Sequence, residues 1–303
     1  MNPEQKYLSA QSMRVALEDR LNRMAKDYSA DIMRLRRHVA FDRLLARLFS
    51  GHTEDLIVKG GYALELWINN ARTTKDIDIS FKGNLEGVWT GERSSNPKAL
   101  QDYLQNLVSI DTKDFFEFII RNAVLDLENA PYGGYRFPIE ARMAGRVFIK
   151  FEIDVAAGDT WLEPHERVKT QDWFGFAGIE APMIPVISQE QQFAEKVHAY
   201  TLPRKTPNSR VKDLVDILLL IEKGALKTDR IKNALLKTFQ RRNTHPIPLN
   251  LPEPPESWKT PFRKMAETCG IPDDIDLAID QIQQYYKIFT EDRGEETIRQ
   301  VLI

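Results

Sequence analysis

The chain has little of what staples, anchors or strongly charges a protein. Its 303 residues include one cysteine, Cys269. A single thiol makes no internal disulfide and no cysteine metal cluster, and it fits a reducing compartment. No run approaches the roughly 18 apolar residues that mark a membrane-spanning helix, so no membrane partner is expected. The N-terminal Met1-Asn-Pro-Glu-Gln-Lys6 lacks the apolar core of a signal peptide, so the expected location is cytoplasmic. The five histidines, His38, His52, His165, His198 and His245, show no zinc spacing and support no Ser/His/Asp assignment. A surplus of either charge is also missing. With 42 Lys+Arg against 44 Asp+Glu, the net charge is −2, which taken whole argues against a generally basic nucleic-acid binder.

What remains is the composition of a globular protein, 42% hydrophobic and 28% charged. The length fits two domains, or one core with helical additions. Met13, Ala16, Leu17, Leu21 and Met24 follow helical spacing, as do Ile32, Leu35, Val39, Leu44, Leu45 and Leu48. Gly51 is the expected stop of the second helix. That helix carries Arg34, Arg36, Arg37, Arg43 and Arg47, which read as a solvated face or, less simply, as a phosphate-contacting one. From residue 56 the texture becomes mixed. Leu56-Ile-Val58 is a short apolar run, Tyr62 to Ile68 reads as a helix, and Asp76-Ile-Asp-Ile-Ser-Phe81 alternates as a half-buried strand does. A helix over 97–109 precedes strand candidates at Phe115–Ile120, Tyr135–Arg142 and Val147–Val155. Asn129–Gly134 and Ala144-Gly145 separate them, and such short connections favour antiparallel pairing.

Helices resume near residue 184. Ser188 with Gln191 is a capping box opening a helix to about Tyr200. Pro203 and Pro207 separate it from a second helix, Ser209 to Lys223, ended by Gly224, and a third covers 228–242. Residues 246–261 hold six of the sixteen prolines and read as a stiff extended connector, with two or three helices beyond it. The organisation expected is N-terminal helices over 1–50, a core over 51–182 and a helical region over 183–303. The fold class is α+β, a small mixed β-sheet flanked by helices.

One constellation suggests chemistry. Lys59-Gly60-Gly61 precedes a helix, and Asp76-Ile-Asp78 follows it. Asp76 and Asp78, at i and i+2 of a strand, share a face about 6–7 Å apart. They repel unless a cation lies between them, and hard Mg²⁺ takes carboxylate oxygens while keeping sites for phosphates. Glycines before a helix allow close backbone approach, and helix N-terminal N–H groups bind phosphate. Together these describe a nucleoside-triphosphate site; singly, each is a turn or an exposed strand edge. Glu152 and Asp154, in Phe151-Glu-Ile-Asp-Val155, share a face by the same rule. Asp154 brought beside Asp76 and Asp78 would complete a two-metal site, whereas alone it is a solvent-facing residue at a strand end.

Several strings resemble one family in order and spacing. Val58-Lys-Gly-Gly-Tyr-Ala-Leu64 with Arg72-Thr-Thr-Lys-Asp-Ile-Asp-Ile79 is similar to the first motif of the AbiEii/AbiGii nucleotidyltransferase-like toxins. Phe151–Val155 with Gly158-Asp159, Glu195-Lys-Val-His-Ala199, and Asn208–Asp216 resemble the later ones. The likeness covers roughly residues 55–225. It implies a polymerase-β-like nucleotidyltransferase core, with NTP as co-substrate and Mg²⁺ at Asp76 and Asp78. It implies Lys196 and Asp213 as distal functional residues. It also implies a toxin role in a toxin–antitoxin or phage-defence pair, a nearby-encoded antitoxin without a stable complex, and an RNA acceptor, notably the 3′ end of tRNA. One departure is Tyr62, where the family usually has Thr or Ser that can bond a phosphate.

The distal strings have a physical reading as well. Lys196 can lay its stem across apolar surface and present its ammonium to a triphosphate, or be a surface lysine. The 209–223 helix is apolar nearly all round, so Asp213 and Asp216 need partners, for which Arg210, Lys212 and Lys196 are at hand. Acids near a helix N-terminus are also favoured by its dipole. Arg72 either reaches a phosphate or lies at the surface. Residues 196–242 hold 12 Lys+Arg and 4 Asp+Glu, so the near-neutral total conceals a segment of +8 suited to triphosphate or RNA. The expected activity is Mg²⁺-dependent nucleotidyl transfer to an RNA 3′-OH. The alternatives are a non-catalytic NTP- or partner-binding protein on the same fold, supported by Tyr62, and transfer to a small molecule.

Overall fold

The computed structural model describes residues 6–51, 54–82, 96–127, 130–204 and 208–290. His52, Asn129 and Pro207 lie outside the described residues. Two compact units emerge. The first comprises Met1–Tyr62, Thr73–Gly158 and Glu166–Val186, and the second Ala63–Arg72, Asp159–His165 and Ile187–Ile303.

The first unit opens with α1 (Ala10–Asp27) and α2 (Ile32–Leu48), capped by the side chains of Ser9 and Asp31. Helix α2 ends at Leu48, so Gly51 is not its stop. Helix α3 (Gly60–Trp67) begins in this unit and finishes in the second. Helix α4 (Pro97–Val108) starts under an Asn96 cap. The sheet has eight strands among the described residues. They are β1 (Leu56–Lys59), β2 (Asp76–Phe81), β3 (Phe116–Ile120), β4 (Leu125–Asp126), β5 (Gly134–Met143), β6 (Arg146–Ala157), β7 (Glu166–Lys169) and β8 (Met183–Val186). The order is β3-β5-β6-β2-β1-β8-β7, with β4 pairing β5. β2–β6 and β1–β8 are parallel. The remaining pairs are antiparallel, including β3–β5 and β5–β6 as the short connections suggested. The fold is therefore α+β with a mixed sheet.

Helix α2 packs on β6, where the Phe41 ring meets Phe151 edge-on at 4.8 Å. Its arginines do not form one solvated face. Arg43 and Arg47 are buried, and Arg47 Nη1 and Nη2 donate to the two carboxylate oxygens of Asp114 at 2.8 and 2.5 Å. A buried charge must be paired, and here the partner lies 67 residues away, beyond the reach of helical periodicity.

The second unit holds α5 (Gln189–Thr201), α6 (Val211–Lys223), α7 (Thr228–Arg242), α8 (Lys259–Cys269) and α9 (Ile275–Thr290). Ser188 caps α5 by accepting from the Gln191 N–H. The Gln191 side chain does not reach back to close the box. It accepts instead from the Leu162 N–H at 2.9 Å and donates to Glu195 at 3.1 Å. Helix α6 is buried as its apolar circumference demands, and Leu214 and Leu218 share a core with Phe193, Leu235, Phe262 and Ile282.

The proline-rich segment is not a free spacer. Leu251 and Trp258 are buried in this core. Tyr200 donates to the Pro252 carbonyl at 2.6 Å, and Gln283 bonds both the N–H and the carbonyl of Leu251. Proline removes backbone donors, but the remaining carbonyls accept from side chains and tie the segment down. No described helix is long and apolar enough to cross a membrane.

Candidate active site

Strand register builds the site of the first unit. Residues in register on neighbouring strands point to the same face of a sheet. Lys59 of β1 lies opposite Asp78 of β2, Asp78 opposite Asp154 of β6, and Asp154 opposite Arg136 of β5. One row across four strands thus reads Lys59–Asp78–Asp154–Arg136. The next row places Asp76 opposite Glu152. The two acid pairs expected on separate strands therefore occupy one face of the sheet.

Gly60 follows at the start of α3 with φ +70°, a left-handed value that favours glycine. A β-carbon there would lie 2.6 Å from Cγ of Asp78, so only glycine allows the backbone to approach that carboxylate. Gly61 is the next helical residue, and the first N–H groups of a helix lack intrahelical partners. Tyr62, where the family usually has Thr or Ser, does not direct its ring toward a phosphate. It is 3% exposed and sits edge-on to Phe41 at 5.0 Å and near His38 at 5.9 Å. The ring fills the core of this unit.

Asp76 accepts a hydrogen bond from the Thr74 hydroxyl at 2.8 Å, and its side chain is 36% exposed. Asp154 differs from it. Arg136 Nε and Nη2 donate to its two oxygens at 2.7 Å each, the bidentate fork of a strong ion pair. Arg136 also reaches Glu152 at 3.3 Å and Asp76 at 3.7 Å. The hydrogen bonds to Asp154 hold the guanidinium above its ordinary pKa, so its charge is permanent. Sequence reasoning did not single out Arg136. Its one signal was a position within a strand next to the Glu152–Asp154 strand.

These side chains can be tested against Mg²⁺. Asp76 and Asp78 offer hard oxygen donors on one face, and Mg²⁺ is commonly bound by one or two carboxylates together with substrate phosphates. That pair fits. Asp154 is set apart from that pair, because each of its oxygens already accepts a hydrogen bond from Arg136. Among the described residues no group of three or more His, Cys, Asp and Glu is arranged to hold a metal ion.

A second charged cluster lies within the second unit. Asp216 of α6 is completely buried. It accepts from Arg72 Nε and Nη2 at 2.7 Å each and pairs with Lys196 Nζ at 2.8 Å. Lys196 also donates to Asp213 at 3.0 Å, and Arg210 approaches Asp213 at 3.5 Å. Burial pulls the Lys196 ammonium down, but Asp213 and Asp216 outweigh that and hold it above its ordinary range. Burial pushes Asp216 up, yet Lys196 and Arg72 keep it below the usual carboxylate value. Lys196 is thus a fixed, charged group within α5 rather than a surface lysine. Arg72 is committed to Asp216, and Lys212, an expected partner of the acids, is exposed.

The model of the family described as "Nucleotidyl transferase AbiEii toxin, Type IV TA system" matches residues 43–285. The chain belongs to that family. It is accordingly a nucleotidyltransferase of the toxin class, and a nucleoside triphosphate is its substrate. The fold is shared with the nucleotidyltransferase toxin MenT4 of Mycobacterium tuberculosis H37Rv, at a TM-score of 0.59 and 17% identity over 94% of this chain and 92% of that one. JHP933 of Helicobacter pylori matches at 0.45 and 10% identity over 89% and 98%. An antigenic nucleotidyltransferase-like protein of Paracoccidioides brasiliensis matches at 0.38 and 17% identity over 68% and 89%. No curated protein matches the chain.

Proposed function

We propose that the chain transfers a nucleoside monophosphate from an NTP to the 3′-OH of an RNA, with tRNA as the acceptor class. In this reading it is a cytoplasmic toxin of a toxin–antitoxin or phage-defence pair, opposed by an antitoxin encoded nearby. The observation that best supports it is the placement of Asp76 and Asp78 on one sheet face, with Gly60 closing on Asp78.

Asp76 and Asp78 are the residues that would hold Mg²⁺. Bound there, it would neutralise triphosphate charge and acidify a nearby hydroxyl. Thr74 orients Asp76 through its hydroxyl. The N–H groups at the start of α3 are suited to a phosphate, while Lys196 and Asp213 of the second unit enter as functional residues on the family resemblance. Asp213 fixes the Lys196 ammonium. Asp78 takes the proton of the acceptor hydroxyl. The acceptor oxygen bonds to the α-phosphorus as the α–β bridging P–O bond breaks, and pyrophosphate leaves with that electron pair. Asp154, engaged by Arg136, supports the row electrostatically. Within the segment 196–242, with its balance of +8, exposed Lys212, Lys227, Lys237 and Arg241 carry charge suited to an RNA backbone.

Incubating the purified protein with total RNA and each α-labelled NTP in turn tests this reading. Label in a tRNA-sized band supports it. Label confined to small molecules points to a small-molecule acceptor, and no label with any NTP contradicts nucleotidyl transfer.

A further inference from the structure

The row Lys59–Asp78–Asp154–Arg136 holds more positive charge than a bare carboxylate site requires. Arg136 stands where its three nitrogens serve three acids. Nε and Nη2 hold Asp154 at 2.7 Å, Nη1 lies 3.3 Å from Glu152, and Nη2 lies 3.7 Å from Asp76. A guanidinium cannot be deprotonated in a protein, so this charge stays at every working pH. Its fork matches a carboxylate in shape, which a hydrated metal ion does not.

We propose that Arg136 takes the place of a second metal ion in this site. The site then accepts one divalent cation on Asp76 and Asp78, while Arg136 fixes Asp154 as a paired anion instead of a ligand. The inference rests on the nucleotidyltransferase reading of that face. Arg136 is a positioning residue in this scheme, since it acts through the acids. Two features favour it over a plain structural ion pair. Arg136 touches acids of both β2 and β6, joining the two strands that bear the carboxylates. Its side chain is also 27% exposed and that of Glu152 44%, so the guanidinium reaches from buried Asp154 to the solvent-facing side of the cluster. A dication on Asp154 would meet the guanidinium at both oxygens, 2.7 Å away, and suffer like-charge repulsion at close range, whereas Arg136 approaches Asp76 at one oxygen only, at 3.7 Å.

The test counts bound ions and needs no turnover. The full chain is dialysed to equilibrium against labelled Mn²⁺ and an α,β-methylene NTP that cannot be cleaved at the α–β position. The wild type is expected to bind one Mn²⁺ and one nucleotide per chain. Arg136→Met and Arg136→Gln, which remove the charge, are expected to bind two Mn²⁺ per nucleotide. A merely structural arginine would leave the count unchanged on substitution, and that result overturns the inference. Two ions in the wild type also overturn it, and this measurement stands even if both variants fail to fold. Absence of bound nucleotide from the wild type overturns the triphosphate site itself, and this inference with it.

Discussion

Gly60 and Asp78 meet so closely that residue 60 has no room for a side chain. The left-handed φ of +70° and the 2.6 Å approach of an added β-carbon to Asp78 Cγ are independent reasons for glycine. The left-handed conformation costs a non-glycine residue about 1–2 kcal/mol. The overlap must in addition move the Asp78 carboxylate or the start of α3. Gly60→Ala is therefore expected to cut nucleotide transfer by at least about tenfold, equivalent to about 1.4 kcal/mol of transition-state binding. Its urea midpoint should fall only modestly. Wild-type transfer rates in Gly60→Ala would show that the turn does not shape the site.

Asp216 and Asp213 lie one helical turn apart but carry unequal loads. Asp216 is fully buried and holds both Arg72 and Lys196, whereas Asp213 meets Lys196 and only the margin of Arg210. Removing one partner of a buried ion pair costs about 3–5 kcal/mol. Denaturant unfolding should show Asp216→Asn losing stability in that range and Asp213→Asn losing clearly less. The reverse ranking would contradict the assignment of Asp216 as the anchor of the cluster.

Arg47 and Asp114 form the corresponding pair in the first unit, buried on both sides. Asp114→Ala strands the guanidinium and is expected to cost about 3–5 kcal/mol, read by chemical denaturation. Asp114→Leu combined with Arg47→Met, which removes both charges, should recover most of that loss. A double variant as unstable as Asp114→Ala would mean that the cost is set by packing or by buried Arg43, which also lies 3.8 Å from Asp114, and not by the Arg47 charge.

Asp42 gives a pH signature. Burial is the main cause lifting its pKa to about 7, against the smaller opposing effect of Arg43. The folded chain thus keeps a proton that the unfolded chain gives up near the ordinary aspartate value of 3.8. Stability must then fall as pH rises between those values, by at most about 1.4 kcal/mol per pH unit for one proton, and the full cost remains above pH 7. Asp42→Asn removes this dependence. Comparing the two proteins by unfolding at pH 5 and pH 8, the variant should gain relative to wild type at pH 8. An equal difference at both values would show that Asp42 does not titrate in this way.

Much of the fold was legible from local pattern. The spacing of α1, α2, α6 and α7, the alternation in β2, and the glycines that open α3 are short-range signals and needed no partner to be read. The face shared by Asp76 and Asp78 follows from strand period alone. Arg136 was hidden by a bulge. Counting pairs back from the Ala144–Gly145 turn places Arg136 opposite Ile153, on the far face from the acids. The register shift at Ala141/Arg142 moves it opposite Asp154. The burial of Arg43 and Arg47 and the tying-down of residues 246–258 were hidden for a related reason. Each depends on a partner distant in the sequence: Asp114 for Arg47, and Tyr200, Gln283 and Tyr286 for the proline-rich segment. Tyr62 invited doubt as a residue type, and only its ring contact with Phe41 places it in the core.

The most direct test is transfer by Asp78→Ala, measured with α-labelled NTP and total RNA beside the wild type. The variant should keep its circular dichroism spectrum and lose transfer by about a hundredfold or more, the lower end for loss of a catalytic acid–base group. Wild-type labelling of RNA by a folded Asp78→Ala protein would contradict the placement of the reaction at the Asp76–Asp78 face.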